Sequence, residues 1–194
     1  MSRLLPTPPS AIRYLKLAKE ETLFRQGDQT VAVFAVKQGR VRLVRHLSDG
    51  STVPIYVSHS GNTFSEAALF SPTYHCDAIA DMDSEIEIHS KEALSQALYQ
   101  DPKAAWAFMS HLAKQVITLR SRLEVRNIRS APERVIYFLK LETNEKAMEV
   151  TFVRPLKDIA ADIGLTHETF YRVLSKLEAD GTIKRNGRTI TLLD

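Results

Sequence analysis

Between residues 156 and 183 the apolar positions follow the repeat of two short helices. In PLKDIAADIG, Leu156, Ile159, Ala160 and Ile163 share one face, and Gly164 supplies the backbone freedom that ends the segment. The helical spacing then resumes. Phe170, Val173, Leu174 and Leu177 make a stripe, leaving His167, Glu168, Tyr171, Arg172, Ser175 and Lys176 on the opposite face. Thr166 is suited to cap the second helix, and Leu165 before it to staple onto Phe170 at the fourth helical position. Two helices joined by a tight glycine turn form a helix-turn-helix.

Upstream, the period changes twice. Residues from about 20 to 90 read as short strands: VAVFAVKQGRVRLVRHL is split by Gly39, SDGSTVPIYV begins with a turn signal, and SEIEIH alternates. Such spacing predicts a sandwich or roll with one buried face. After Asp101 and Pro102 a helical period takes over, with Met109, Leu112, Val116, Leu119 and Leu123 spaced as the seam of a coiled coil. That seam predicts a homodimer, the alternative being that it packs on the β domain of its own chain. Ser130 with Glu133 three residues on, and Pro132 between them, opens a new helix. MEVTFV follows as a strand candidate.

Composition narrows the class. With 44% hydrophobic and 25% charged residues, the chain reads as an ordinary globular protein. The start, MSRLLPTPPSAIRYLKLAKEE, has too short an apolar run and too many prolines for a signal peptide, and no stretch of eighteen apolar residues exists. A cytoplasmic protein with no membrane partner is expected. The single cysteine, Cys76, excludes an internal disulfide and any iron-sulfur cluster needing four thiolates from one chain. Net charge is +3, and its placement matters more than its size. No Lys or Arg occurs from His46 to Ser90, whereas Lys103 to Arg129 holds six against Glu124 alone, so anions are expected to meet the second half.

The exposed row of the second helix carries chemistry suited to a duplex. Arg172 lies one turn beyond Glu168 on the same face. Arginine forks onto the O6 and N7 of guanine and glutamate accepts from the N4 amino group of cytosine, each contact discriminating by about 1–3 kcal/mol. The bland alternative is a surface ion pair worth about 0.3 kcal/mol. TIKRNGRTITLL then reads as a hairpin with Asn186 and Gly187 in the two turn positions, and Lys184, Arg185 and Arg188 at its tip suit a wing on the phosphates. The residues expected at double-stranded DNA are therefore Thr166, His167, Glu168, Thr169, Tyr171, Arg172, Lys176, Lys184, Arg185 and Arg188.

LTHETFYRVLSKLEADGTI, together with FRQGD, VKQGRVRLVR and NTFSEAALF, resembles the Crp/Fnr family of bacterial transcription regulators over nearly the whole chain. The resemblance implies an α+β fold: an N-terminal jelly-roll-like β-roll of the cyclic-nucleotide-binding kind, a long dimerisation helix and a C-terminal winged helix-turn-helix. The expected boundaries are 1–100, 101–128 and 129–194. It also implies that Glu168 and Arg172 read the operator half-site, that His167 and Tyr171 occupy the variable reading positions, and that RNA polymerase is a partner. In cyclic-AMP-binding members a cassette glutamate holds the ribose and an arginine some ten residues later pairs with the phosphate. Glu66 matches the first; the second falls in TYHCDAIA, where Tyr74 or His75 stands. A buried phosphate without a cation is costly, so cyclic AMP is not expected to bind, and Glu66, Tyr74, His75 and Cys76 mark the effector pocket.

No cofactor is predicted. A haem or redox sensor through His75 and Cys76 stays open as an alternative, although on a strand their side chains point to opposite faces. An effector-binding module with little DNA specificity is a further alternative. An enzyme is not expected: a metal centre needs histidines and a carboxylate converging, and His46, His59, His75 and His89 are scattered, with no H-x-H pair, although His75 stands two residues from a carboxylate, Asp77.

Overall fold

A computed structural model describes residues 5–143, 148–152 and 155–193. The chain forms two compact units, Met1–His111 and Leu112–Asp194, divided inside the longest helix.

The first unit is built from β1 (Ile12–Leu17), β2 (Thr22–Phe24), β3 (Ala32–Gln38), β4 (Arg40–His46), β5 (Thr52–His59), β6 (Thr63–Phe64), β7 (Asp77–Ala80) and β8 (Ser84–Ser90). These make two four-stranded antiparallel sheets, ordered β1-β8-β3-β6 and β2-β7-β4-β5. The apolar run of β3 buries Ala32, Val33, Phe34 and Val36, and β4 contributes Val41, Leu43 and Val44. Phe24 on β2 stacks on Phe34 on β3 at 5.4 Å between centroids and so joins the sheets, and Phe34 stacks on Phe64 within its own sheet at 5.3 Å. Gly39 turns β3 into β4 with φ of 95°, where a Cβ would lie 2.3 Å from Ser84 Oγ and 2.7 Å from the Asp83 carbonyl. Two elements went unread in the sequence. β1 pairs with β8 at the sheet edge, and α1 (Lys91–Gln100) starts at Ser90, whose hydroxyl accepts from the Ala93 amide at 3.2 Å.

On helix α2 (Pro102–Asn127), Met109, Val116, Leu119 and Leu123 of the expected seam are exposed and Leu112 is half-buried. The second unit continues with α3 (Ala131–Glu142), β9 (Glu149–Thr151), α4 (Leu156–Asp162), α5 (His167–Ala179), β10 (Ile183–Asn186) and β11 (Thr189–Leu192), the strands ordered β10-β11-β9. Ser130 caps α3 by accepting from the Glu133 amide, with Pro132 in the first turn. Val135, Leu139, Ile159, Ile163, Phe170, Leu174, Ile183 and Ile190 form one core beneath α5.

No helix among the described residues is long and apolar enough to cross a membrane.

Candidate nucleic-acid interface

The turn between α4 and α5 closes as its residues dictate. Gly164 adopts φ of 69°, its amide donates to the Ala161 carbonyl at 3.1 Å, and the Leu165 amide reaches back to the Ala160 carbonyl at 2.9 Å. This is the paired bonding of a helix ended by a left-handed residue. Thr166 then caps α5, its hydroxyl accepting from the Thr169 amide at 3.2 Å and donating to the Thr169 hydroxyl at 3.0 Å. Leu165 packs against the core that holds Phe170, as a hydrophobic staple requires.

With both ends fixed, α5 has a settled rotation. Phe170, Val173, Leu174 and Leu177 are buried, so His167, Glu168, Tyr171, Arg172, Ser175 and Lys176 lie on the exposed side. Among the described residues, neither Glu168 nor Arg172 enters an ion pair, which leaves both heads available to an incoming ligand. The rings of His167 and Tyr171, one turn apart, meet at a tilt of 55° with 4.5 Å between centroids. Thr169, half-buried, is engaged in the cap rather than in the exposed row.

The hairpin differs from expectation in register. Asn186 pairs with Thr189, so the turn positions are Gly187 and Arg188 rather than Asn186 and Gly187. Only Gly187 has a positive φ, 60°, as in a turn with glycine first; the Asn-Gly signal marked the turn but not its frame. Lys184 and Arg188 are exposed. Arg185 is instead ion-paired with Glu178 on α5, its Nε donating at 2.7 Å.

Arginines that composition alone did not assign hold the turn. Arg126 donates from Nε to the Asp162 carbonyl and from Nη2 to the Ala161 carbonyl, both at 2.9 Å. Arg134 donates from Nη1 to the carbonyls of Ile163 and Gly164 at 3.3 and 3.2 Å, and from Nε and Nη2 to the Ile128 carbonyl at 2.8 and 2.6 Å. The orphan carbonyls at the end of α4 are thereby met by two cations, which also suits the negative end of the helix dipole.

In the first unit, the expected effector residues divide. Glu66 lies in a 3-10 turn (Glu66–Leu69) and accepts from the Thr63 hydroxyl; His111 Nε2 stands 2.9 Å from that hydroxyl and 3.8 Å from Glu66 Oε1. Tyr74 departs from expectation. The ring is buried in the core and stacks on Phe24 at 3.8 Å, and its hydroxyl donates to the Ala32 carbonyl and accepts from the Ala32 amide at 3.0 and 3.1 Å. Two open hydrogen-bonding groups on β3 and an aromatic core explain why the ring turns inward. His75 is exposed with Nε2 3.1 Å from Ser71 Oγ, and Cys76 is half-buried. Both precede β7 in a bend, so the expected alternation of a strand does not govern them. Arg45, across from them on β4, donates to the His75 carbonyl at 3.2 Å. Asp77 is buried; burial works to raise its carboxyl, but the Gln26 amide at 2.7 Å and His46 at 2.9 Å outweigh it and hold the group below its ordinary value. Among the described residues no three His, Cys, Asp or Glu side chains are grouped to hold a metal ion.

Residues 14–101 match the cyclic nucleotide-binding domain, and residues 133–194 match the Crp-like helix-turn-helix domain. The chain is similar to the nitrogen fixation regulation protein FixK of Rhizobium meliloti, 27% identical over 197 residues that cover 100% of this chain and 89% of that protein. It is also similar to the transcriptional regulator LdrP of Thermus thermophilus, 24% identical over 186 residues covering 92% of this chain and 91% of that one. The solved structure of FixK2 from Bradyrhizobium japonicum has the same fold, with a TM-score of 0.68 at 24% identity over 94% of this chain and 93% of that chain.

Proposed function

This chain belongs to the Crp/Fnr family of transcription regulators, and from that membership we propose that it binds a palindromic operator as a homodimer, under control that does not use cyclic AMP. One observation carries the reading: α5 has a fully packed side and an opposite side on which Glu168 and Arg172 are exposed and unpaired among the described residues. In the proposed complex this side enters the major groove, Arg172 forks onto a guanine and Glu168 accepts from a neighbouring cytosine. Lys184 and Arg188 meet phosphates and fix the register without reading sequence.

The exposed seam of α2 supports the dimer. Met109, Val116, Leu119 and Leu123 are each about half exposed. Burying them against a second copy is worth on the order of 10 kcal/mol gross for the pair, comparable with the cost of association. Two recognition helices related by a two-fold axis would enter successive major grooves about 34 Å apart. Val116→Asp should sediment as a monomer and lose operator binding.

Control without cyclic AMP is supported by how the cassette residues are already engaged. Glu66 is held by Thr63 beside His111, Tyr74 faces the core, and Arg45 gives its Nε to the His75 carbonyl. Calorimetry should detect no micromolar binding of cyclic AMP; such binding would overturn this part. We read the sensor as carrying no haem, since His75 Nε2 is engaged by Ser71. A Soret band in the purified protein that His75→Ala removes would reverse that.

The decisive test is selection of bound sequences from a random duplex pool. Arg172→Ala should lose operator preference, by about 1–3 kcal/mol at one base pair of each half-site, while weak general binding survives. Equal loss on every sequence would defeat base reading by this residue. RNA polymerase as a partner belongs to the same proposal, tested by transcription from a promoter carrying the selected site.

A further inference from the structure

Arg185 and Glu178 hold each other in a way that DNA contact alone does not call for. The Arg185 Nε donates to Glu178 Oε2 at 2.7 Å, its Nη2 lies 2.5 Å from the same oxygen and 3.4 Å from Ser175 Oγ, and its backbone amide donates to Glu178 Oε1 at 3.1 Å. Both oxygens of one carboxylate in the last turn of α5 are thus taken by a single residue of β10. A carboxylate there opposes the helix dipole, so Glu178 is poorly placed unless a cation compensates it. Period-two alternation explains which cation does so: Ile183 points into the core, Arg185 shares its side and faces α5, and Lys184 points to solvent.

We propose that Glu178 and Arg185 are positioning residues that lock the wing to the recognition helix, and that Arg185 makes no phosphate contact of its own. This rests on the reading that α5 and the hairpin bind DNA together. The wing strand is then held at the last turn of α5 by a clamp through both side chain and backbone, and the spacing between base readers and phosphate contacts is set before DNA arrives. Ser175, one turn before Glu178 and adjacent to Lys176, gives the clamp a third point on the helix. Because Glu178 neutralises the Arg185 guanidinium, that guanidinium does not add to counterion release, whereas Lys184 does.

Salt-dependent binding of the full-length protein separates the two roles. Affinity for the selected operator and for a random duplex would be measured across salt for wild type, Lys184→Ala, Arg185→Ala, Arg185→Lys, Glu178→Gln and the Glu178→Gln/Arg185→Ala double variant, with thermal melts beside each. Lys184→Ala should flatten the slope of log affinity against log salt by about 0.9, the value for one phosphate. Arg185→Ala and Glu178→Gln should each weaken operator binding about three- to tenfold with the slope unchanged, and the double variant should be no weaker than either single one. A phosphate-gripping Arg185 predicts the reverse: Glu178→Gln, by freeing the guanidinium, would tighten binding, and Arg185→Ala would flatten the slope as Lys184→Ala does. Either result overturns the proposal. If Arg185→Ala does not stay folded, Arg185→Lys carries the same test, since a full wild-type affinity with Glu178→Gln still neutral or tighter refutes the clamp. Failure of the underlying DNA reading is visible separately, as wild-type protein with no preferred duplex.

Discussion

Replacing Arg134 by alanine tests whether the helix-turn-helix is held by its arginines or only by its core. The guanidinium makes two short bonds to the Ile128 carbonyl, 2.8 and 2.6 Å, and two longer ones to the carbonyls of Ile163 and Gly164, 3.3 and 3.2 Å. Charge-assisted bonds contribute about 1.5–3 kcal/mol, but here two share one acceptor and two are long, so a total of about 2–3 kcal/mol is expected. For a unit of about 80 residues each kcal/mol shifts the melting temperature by about 4–8 °C, which predicts a fall of about 8–24 °C. Differential scanning calorimetry of the full chain reads this directly. Arg134→Lys should recover less than half, because an ammonium is a point donor that cannot span the end of α4 and the Ile128 carbonyl together. A fall of under about 2 °C for alanine, or full recovery by lysine, would show that Phe170, Leu174 and their neighbours hold the turn without it.

Three further outcomes follow from the first unit. Gly39→Ala places a methyl 2.3 Å from Ser84 Oγ and 2.7 Å from a backbone carbonyl at a positive φ, so it should cost more than about 3 kcal/mol and give insoluble or unfolded protein; a soluble variant with a wild-type melt would be inconsistent with the tight β3–β4 turn. Asp77, held below its ordinary value, contributes stability that is complete above the unfolded carboxyl value of about 3.9 and disappears as pH falls through the folded one. Asp77→Asn should therefore be less stable than wild type at pH 7, with the gap in denaturation midpoint closing towards pH 3, and a gap constant with pH would contradict this. Burial pushes the Cys76 thiol up, with the Arg45 guanidinium opposing, so iodoacetamide should modify it at least about tenfold more slowly than free cysteine at neutral pH; faster reaction would restore thiol oxidation as a signal.

Local chemistry made α5 legible. Its N-cap, staple, glycine turn and four apolar residues all lie between Gly164 and Leu177 and point to one rotation of one helix, so the exposed row is readable from the sequence. The strands β3, β4 and β8 were readable for the same reason. Tyr74 was not, because what turns it inward is the pair of open backbone groups on Ala32, more than forty residues earlier, and the ring of Phe24. Arg45 beside His75 and His111 beside Glu66 are equally products of distant pairing. The hairpin register slipped by one because Asn-Gly is strongly biased toward the two turn positions, while the pairing of Ile183 with Leu192 and Ile190 with Arg185 keeps the apolar side chains inward and forces Gly187 into first place. α1 was hidden by its short length and by Asp101 and Pro102, which drew the expected helical start past it.

The arginines show why charge counts locate an anion surface poorly. The basic run from Lys103 to Arg129 looked like the place where a polyanion would land, yet Arg126 closes the end of α4 and Arg122 lies 3.5 Å from Asp162. On the first unit Arg42 is shared between Glu20 and Asp81, and those bonds raise it further above its ordinary value. What distinguishes Arg172, Lys176 and Lys184 is that their stems leave the fold from positions whose neighbours in the periodic pattern, Val173, Leu177 and Ile183, are fixed in the core. The buried stripe thus does more than stabilise the helix: by setting its rotation it decides which cations face outward and which are drawn into caps and clamps. A substitution such as Leu174→Ala, at the centre of that stripe, should accordingly cost DNA affinity through misorientation as well as the about 2–5 kcal/mol of stability expected for a buried leucine, even though Leu174 itself never reaches the duplex.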